Sequence, residues 1–316
     1  MIDIDERVVR FLAAAQAHPQ LDGDLPRFRS AMAGHLRNAG PRRPLAEVRD
    51  LRIDGGAVRI YRPDRSAGHP VLVYLHGGAF LRGDLETADV ACREIAARAP
   101  AVVVSVDYRL APEHPFPAAV EDAVTALEWV AASGAAAHGG DPGSVSIGGD
   151  SAGANIAAVV AGGTSVPLRA QLLLGGVFDL VDDLAAVEPD VADVVDVTAD
   201  NERLSWIARL YAGSADPADP RLSPLRAERL AGPPALVVTS QLDPFAPQAR
   251  RLATRFQAGG TSVRLVEFPG MPHGFGNLAG LFEAEATQLY ELVAGALRDG
   301  VPPGERAGWH PQRAEH

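Results

Sequence analysis

Three residues, in a fixed chain order, point first to chemistry: Ser151 inside Gly149-Asp150-Ser151-Ala152-Gly153, Asp243 in ALVVTSQLDPF, and His273 in VRLVEFPGMPHGF. A serine hydroxyl is a weak nucleophile until an imidazole takes its proton. The imidazole in turn needs a carboxylate to fix its tautomer and stabilise its cation. A fourth motif supplies the other half of such a reaction. His76-Gly77-Gly78-Ala79-Phe80 directly follows the apolar run VLVYL, and consecutive small residues let backbone N–H groups face a developing negative charge. Within it His76 is read as holding the loop, not as moving a proton. The chemistry implied is acyl transfer through a covalent acyl-enzyme.

Rival residues are weaker. His18, His35, His69, His138, His310 and His316 fall in loops, helices or tails away from strand ends, and His114 sits in the Pro-flanked segment APEHPFP. Asp179 and the acidic run from Asp182 to Asp200 compete with Asp243 for the orienting carboxylate. A charge-rich segment is usually a solvated face, and only Asp243 follows a strand between Ser151 and His273 with a helix after it.

Composition removes other chemistries. The chain contains no lysine, so all 29 basic residues are arginine, which excludes Schiff-base and pyridoxal chemistry, a Walker A loop and a Ser/Lys hydrolase. The single cysteine, Cys92, builds neither an intramolecular disulfide nor a zinc–thiolate cluster; it suits a reducing compartment and a place in the core. A net charge of −11 repels nucleic acid and anionic membrane surfaces. The N-terminus MIDIDERVVRFLAAAQ carries acids where a signal peptide carries positive charge, and no apolar run approaches a membrane span. A cytoplasmic enzyme without metal or cofactor is expected, with a small molecule and not nucleic acid as its partner. A homodimer is left open.

These residues need a scaffold that brings 151, 243 and 273 to one edge. The apolar runs Val71 to Leu75, Ala101 to Val106, Val145 to Ile147, Ala170 to Leu174, Ala235 to Thr239 and Val263 to Phe268 read as buried parallel strands. Helical patterns at Glu86 to Ala99, Ala118 to Ser133, Ala152 to Ala161 and Pro247 to Ala258 alternate with them, giving an α/β fold: a mostly parallel twisted sheet with helices on both faces. LRIDGGAVRIYRP at 51–63 adds an antiparallel hairpin. GDSAG lies between the strand VSI and the helix ANIAAVVA, where a sharp turn strains the serine and lifts its hydroxyl beside a helix N-terminus. One domain over about 1–300 is expected, with a helical cap from about 1–45 and 181–215, a core from about 46–180 and 216–300, and a frayed tail over 301–316.

HGGAF, VSVDYRLAPEHPFPAAVED, GDSAGANIA, LDPF and GMPHGF, in this order and spacing, resemble the hormone-sensitive lipase-like family of bacterial α/β-hydrolases over roughly residues 45–290. The resemblance implies that Ser151 attacks an ester carbonyl with Asp243 and His273 completing the triad. It also implies that the N–H groups of Gly78, Ala79 and Ala152 form the oxyanion hole, supported by His76, Gly77, Gly149, Asp150 and Gly153. It gives the N-terminal helices and the insertion before the acid strand as a cap. Two departures stand out. Family members usually carry Tyr-Pro where this chain has Gly175-Gly176, which implies a lost aromatic wall and either a wider pocket or an unusual local backbone, and DPLRD where it has DPFAP, which places Pro247 at a charged position. The expected activity is a carboxylic ester hydrolase preferring short to medium acyl chains, because the cap segments are too charged for a lipid-binding face. A deacylase, amidase or cyclase on the same triad, or a non-catalytic receptor, are the alternatives.

Overall fold

A computed structural model describes residues 4–16, 23–182, 197–302 and 307–308. Its centre is a nine-stranded sheet in the order β1-β2-β4-β3-β5-β6-β7-β8-β9. The strands are β1 (Glu47–Ile53), β2 (Gly56–Arg62), β3 (His69–Leu75), β4 (Val102–Asp107), β5 (Gly140–Asp150), β6 (Gln171–Leu174), β7 (Ala235–Leu242), β8 (Val263–Pro272) and β9 (Ala307–Gly308). The expected hairpin pairs β1 with β2, and β2 runs antiparallel to β4; every later pair is parallel.

The alternation of side chains along each strand builds two cores. Val71, Val73 and Leu75 of β3 face one side with Val145, Ile147, Leu173 and Val237, whereas Leu72 and Tyr74 face the other with Leu172, Leu174, Leu236 and Val238. Helices α5 (Ala118–Trp129), α7 (Ala152–Gly163) and α9 (Ala246–Ala258) cover the first face. Helices α4 (Asp89–Arg98) and α10 (Glu283–Asp299) cover the second, where Cys92 is fully buried. The expected helix from Glu86 starts three residues later because the Asp84 carboxylate holds the N–H groups of Glu86 and Thr87 in a preceding turn. That expected from Ala118 to Ser133 loosens into a π-helical turn at Val130–Gly134 and ends in α6 (Ala135–Ala137).

The other α-helices among the described residues are α1 (Glu6–Gln16), α2 (Leu25–Ser30), α3 (Met32–Arg37) and α8 (Val197–Ala212). The ring of Phe11 in α1 meets Phe282 edge-on at 6.0 Å, and Arg7 pairs with Glu285 at 3.0 Å, which ties α1 to the start of α10. The Phe28 ring of α2 meets Trp206 of α8 at 5.2 Å, so the N-terminal and inserted segments touch each other. Residues 183–196 of the expected cap lie outside the described residues. The tail expected to be frayed contributes Ala307–Gly308 as an edge strand on β8, because Val266 and Glu267 leave backbone groups free there.

Candidate active site

Strand β5 ends in the sharp turn that the sequence places at Ser151. This residue adopts φ 52° and ψ −114°, a strained conformation for a residue with a side chain, and its N–H donates to Leu174 O at 2.8 Å. Helix α7 begins at the next residue. The turn is compatible only with glycine at 153, where a Cβ would lie 1.9 Å from Leu75 O; at Gly149 it would lie 2.2 Å from the same atom. The close approach of β3 to the elbow therefore sets both flanking glycines.

Asp243 and His273 each immediately follow the ends of neighbouring strands, β7 and β8, which are in register at Leu242 and Pro272. His273 Nδ1 lies 2.8 Å from Asp243 Oδ2, and His273 Nε2 lies 2.9 Å from Ser151 Oγ. The Asp243 side chain is 1% exposed and the His273 ring 31% exposed, so the carboxylate is sealed beneath an imidazole that reaches solvent. Asp243 Oδ1 also accepts the N–H of Phe245 at 2.8 Å, which fixes the carboxylate in its plane. Pro247 falls in the first turn of α9, where a missing N–H leaves no helical hydrogen bond unmade.

The loop after β3 carries the strain expected of a positioned backbone. Ala79 and Phe80 adopt φ 59° and 62°, and at Gly78 (φ 131°) a Cβ would collide with Arg82 O at 2.0 Å. Among the described residues the N–H groups of Gly78, Ala79 and Ala152 donate to no other group. His76 is fully buried, stacks on Tyr108 at 4.3 Å and hydrogen-bonds Gly77 O through Nδ1 at 2.8 Å. Burial pushes its pKa down, which keeps it neutral inside the loop.

Asp150 is the hub that sequence reasoning named only as support. Its buried Oδ1 accepts Tyr74 Oη–H and the Gly77 N–H, each at 3.0 Å, and Oδ2 accepts Asn277 Nδ2–H at 2.7 Å. Burial raises the carboxyl pKa, opposed by these hydrogen bonds. One side chain thus joins the nucleophile turn, the Gly77 loop and the segment after His273. Tyr74 and Asn277 were missed; the signal for Asn277 was a polar residue four positions beyond His273 in a stretch otherwise apolar or glycine.

Other sequence candidates separate from this cluster. Asp179 pairs with Arg226 at 2.9 Å, and His69 bonds Pro100 O at the opposite end of β3. His35, set aside as lying away from strand ends, is in α3 and half-buried, and burial lowers its pKa, with smaller contributions from the charges of Arg82 and His273. At Gly175-Gly176 the local backbone is unusual, with Gly175 in the left-handed region at φ 56°. The Phe178 ring lies 2.2 Å from where a Cβ on Gly176 would stand, and Gly175 packs behind Asp243 and His273, 3.5 Å from Asp243 Oδ2 by the same construction.

A family model described as alpha/beta hydrolase fold matches residues 72–277. Esterase LipI of Mycobacterium tuberculosis is 37% identical over 311 residues, covering 93% of this chain and 94% of its own. The chain belongs to the hormone-sensitive lipase-like family of α/β-hydrolases. It is an ester-hydrolysing enzyme. The esterase is also 32% identical to the ethyl acetate hydrolase of Pseudomonas putida over 249 residues, 76% of this chain and 77% of that one. A solved structure of an esterase from Pyrobaculum calidifontis superposes with a TM-score of 0.80 at 33% identity, covering 93% of this chain and 98% of that one. Among the described residues of this esterase no helix is long and apolar enough to cross a membrane.

Proposed function

We propose that this esterase hydrolyses carboxylic esters of short acyl chains through an acyl-enzyme on Ser151. The observation that carries the reading is the hydrogen-bonded run from Asp243 Oδ2 through His273 to Ser151 Oγ, at 2.8 and 2.9 Å. In the first half-reaction the serine oxygen bonds to the ester carbon while His273 Nε2 takes the hydroxyl proton, and Asp243 holds the imidazolium by its Nδ1–H. The carbonyl oxygen becomes an oxyanion that accepts N–H bonds from Gly78, Ala79 and Ala152, the last also favoured by the N-terminus of α7. Collapse breaks the bond to the alcohol oxygen, which receives the proton from His273. Water then repeats the sequence on the acyl-serine, releasing the acid and restoring the hydroxyl.

The short-acyl preference draws support from the ethyl acetate hydrolase relative and from the cap itself. Asp5, Glu6 and Asp182 there are ion-paired with Arg7, Arg10 and Arg251. Among the described residues the exposed large apolar side chains are Val9, Leu36 and Val181, one each in three separate segments, which is a poor face for a lipid surface. Turnover of an aryl butyrate by wild type and by Ser151→Ala tests the reading: a loss of at least about three orders of magnitude in kcat supports it, and retained activity overturns it.

A further inference from the structure

Phe80 is the first side chain after His76 large enough to be gripped, since Gly77, Gly78 and Ala79 offer little or nothing to pack. The N–H groups of Leu81 and Arg82 both donate to Gly78 O, at 3.2 and 3.1 Å, which closes the loop into a tight turn. Ala79 and Phe80 sit there at positive φ, a region that residues with side chains disfavour, so a contact outside the turn has to hold them. Tyr211 supplies that contact. Its ring stacks on the Phe80 ring with centroids 3.8 Å apart and planes 8° from parallel, and both residues are 1% exposed.

Tyr211 reaches Phe80 because α8 turns one apolar face inward. Leu204, Ile207, Ala208 and Tyr211 follow the i, i+3, i+4, i+7 spacing and are buried in the same core as Phe80. The end of the helix is fixed as well as its face. Tyr211 O accepts the N–H of Phe116 at 2.8 Å, and the Phe116 ring meets the Tyr211 ring edge-on at 6.3 Å. Phe80 O accepts the N–H of Ala111 at 3.0 Å. The segment 111–116 therefore bonds to the backbone of both stacked residues, and the two rings close the circuit. Tyr211 Oη is buried without a hydrogen-bond partner among the described residues, so the ring face, not the hydroxyl, is what Tyr211 contributes.

We propose that Tyr211 is a positioning residue for ester hydrolysis: through Phe80 it holds the N–H groups of Gly78 and Ala79 where the oxyanion forms, so that α8, which carries none of the triad, sets part of kcat. The inference rests on the reading of those two N–H groups as oxyanion donors. Because such donors act on charge that develops in the transition state, loosening the stack lowers kcat and spares KM. Tyr211→Leu loses about 10- to 100-fold in kcat on an aryl butyrate with KM within about twofold, and Tyr211→Phe, which keeps the ring, restores kcat to within about twofold of the wild type. A trifluoromethyl ketone gives a reading that needs no turnover: the Ser151 oxygen bonds its carbonyl carbon, His273 takes the proton and the carbonyl oxygen becomes the oxyanion, so affinity for it falls in Tyr211→Leu together with kcat. Phe80→Leu gives the same pattern, and the double variant is no worse than the poorer single one. Tyr211→Met, which keeps most of the buried volume without a flat ring, carries the same expectation where Tyr211→Leu does not fold. A folded variant without the ring whose kcat and ketone affinity match those of an active wild type overturns the proposal alone, as does a loss confined to KM. A wild type inert toward ester and ketone alike removes the hydrolase reading and the proposal with it.

Discussion

Replacing Asp150 by alanine removes the acceptor for three buried donors at once: Tyr74 Oη–H, the Gly77 N–H and Asn277 Nδ2–H. Each donor left unsatisfied costs about 1–3 kcal/mol, giving about 3–9 kcal/mol for a rigid site. Two effects reduce this. A cavity of about 30 Å³ whose lining includes Tyr74, Asp150 and Asn277 adjoins the site, so water can reach some of the donors, and the buried carboxylate, whose pKa burial raises, no longer needs desolvating. A loss of about 3–5 kcal/mol in urea unfolding is expected, and about 1–2 kcal/mol for Asp150→Asn, which keeps one carbonyl oxygen for Tyr74 and Gly77. Since Gly77 precedes Gly78 and Asn277 follows His273, the folded alanine variant also loses about 10- to 100-fold in kcat/KM on an aryl butyrate. An alanine variant within about 1 kcal/mol of the wild type, with kcat/KM unchanged, would refute the assignment of Asp150 as the hub.

Three further outcomes are expected. Asp243→Asn keeps the fold but presents the wrong tautomer to Ser151, lowering kcat by roughly four orders of magnitude at neutral pH; near wild-type turnover would mean that another carboxylate orients His273. Because His273 accepts the serine proton only when neutral, kcat/KM rises with pH through a single ionisation and is insensitive to chelator, and inhibition reversed by a divalent metal would contradict this. With both esters below their micelle concentrations, kcat/KM for butyrate exceeds that for dodecanoate, and the reverse order would remove the argument from cap charge.

The strands and the chain order of Ser151, Asp243 and His273 were readable because each rests on a local pattern: an apolar run, a turn, a residue just past it. Strands β7 and β8 show why this works: the apolar runs ending at Thr239 and Phe268 mark them, and Asp243 and His273 each stand just past the strands' ends at Leu242 and Pro272. The contacts of Asp150 were not readable, because Tyr74 and Asn277 lie 76 and 127 residues away and nothing in their local patterns marks them as its partners. Phe178 escaped for a related reason. Its ring doubles back onto Gly176, a packing choice that depends on backbone angles and not on the spacing of apolar residues.

The most direct test of the serine mechanism is covalent capture. The wild type treated with a fluorophosphonate gains one adduct by intact mass, proteolysis places it on the peptide containing Ser151, and Ser151→Ala gains none. An adduct on any other residue, or labelling of Ser151→Ala with turnover retained, would contradict it.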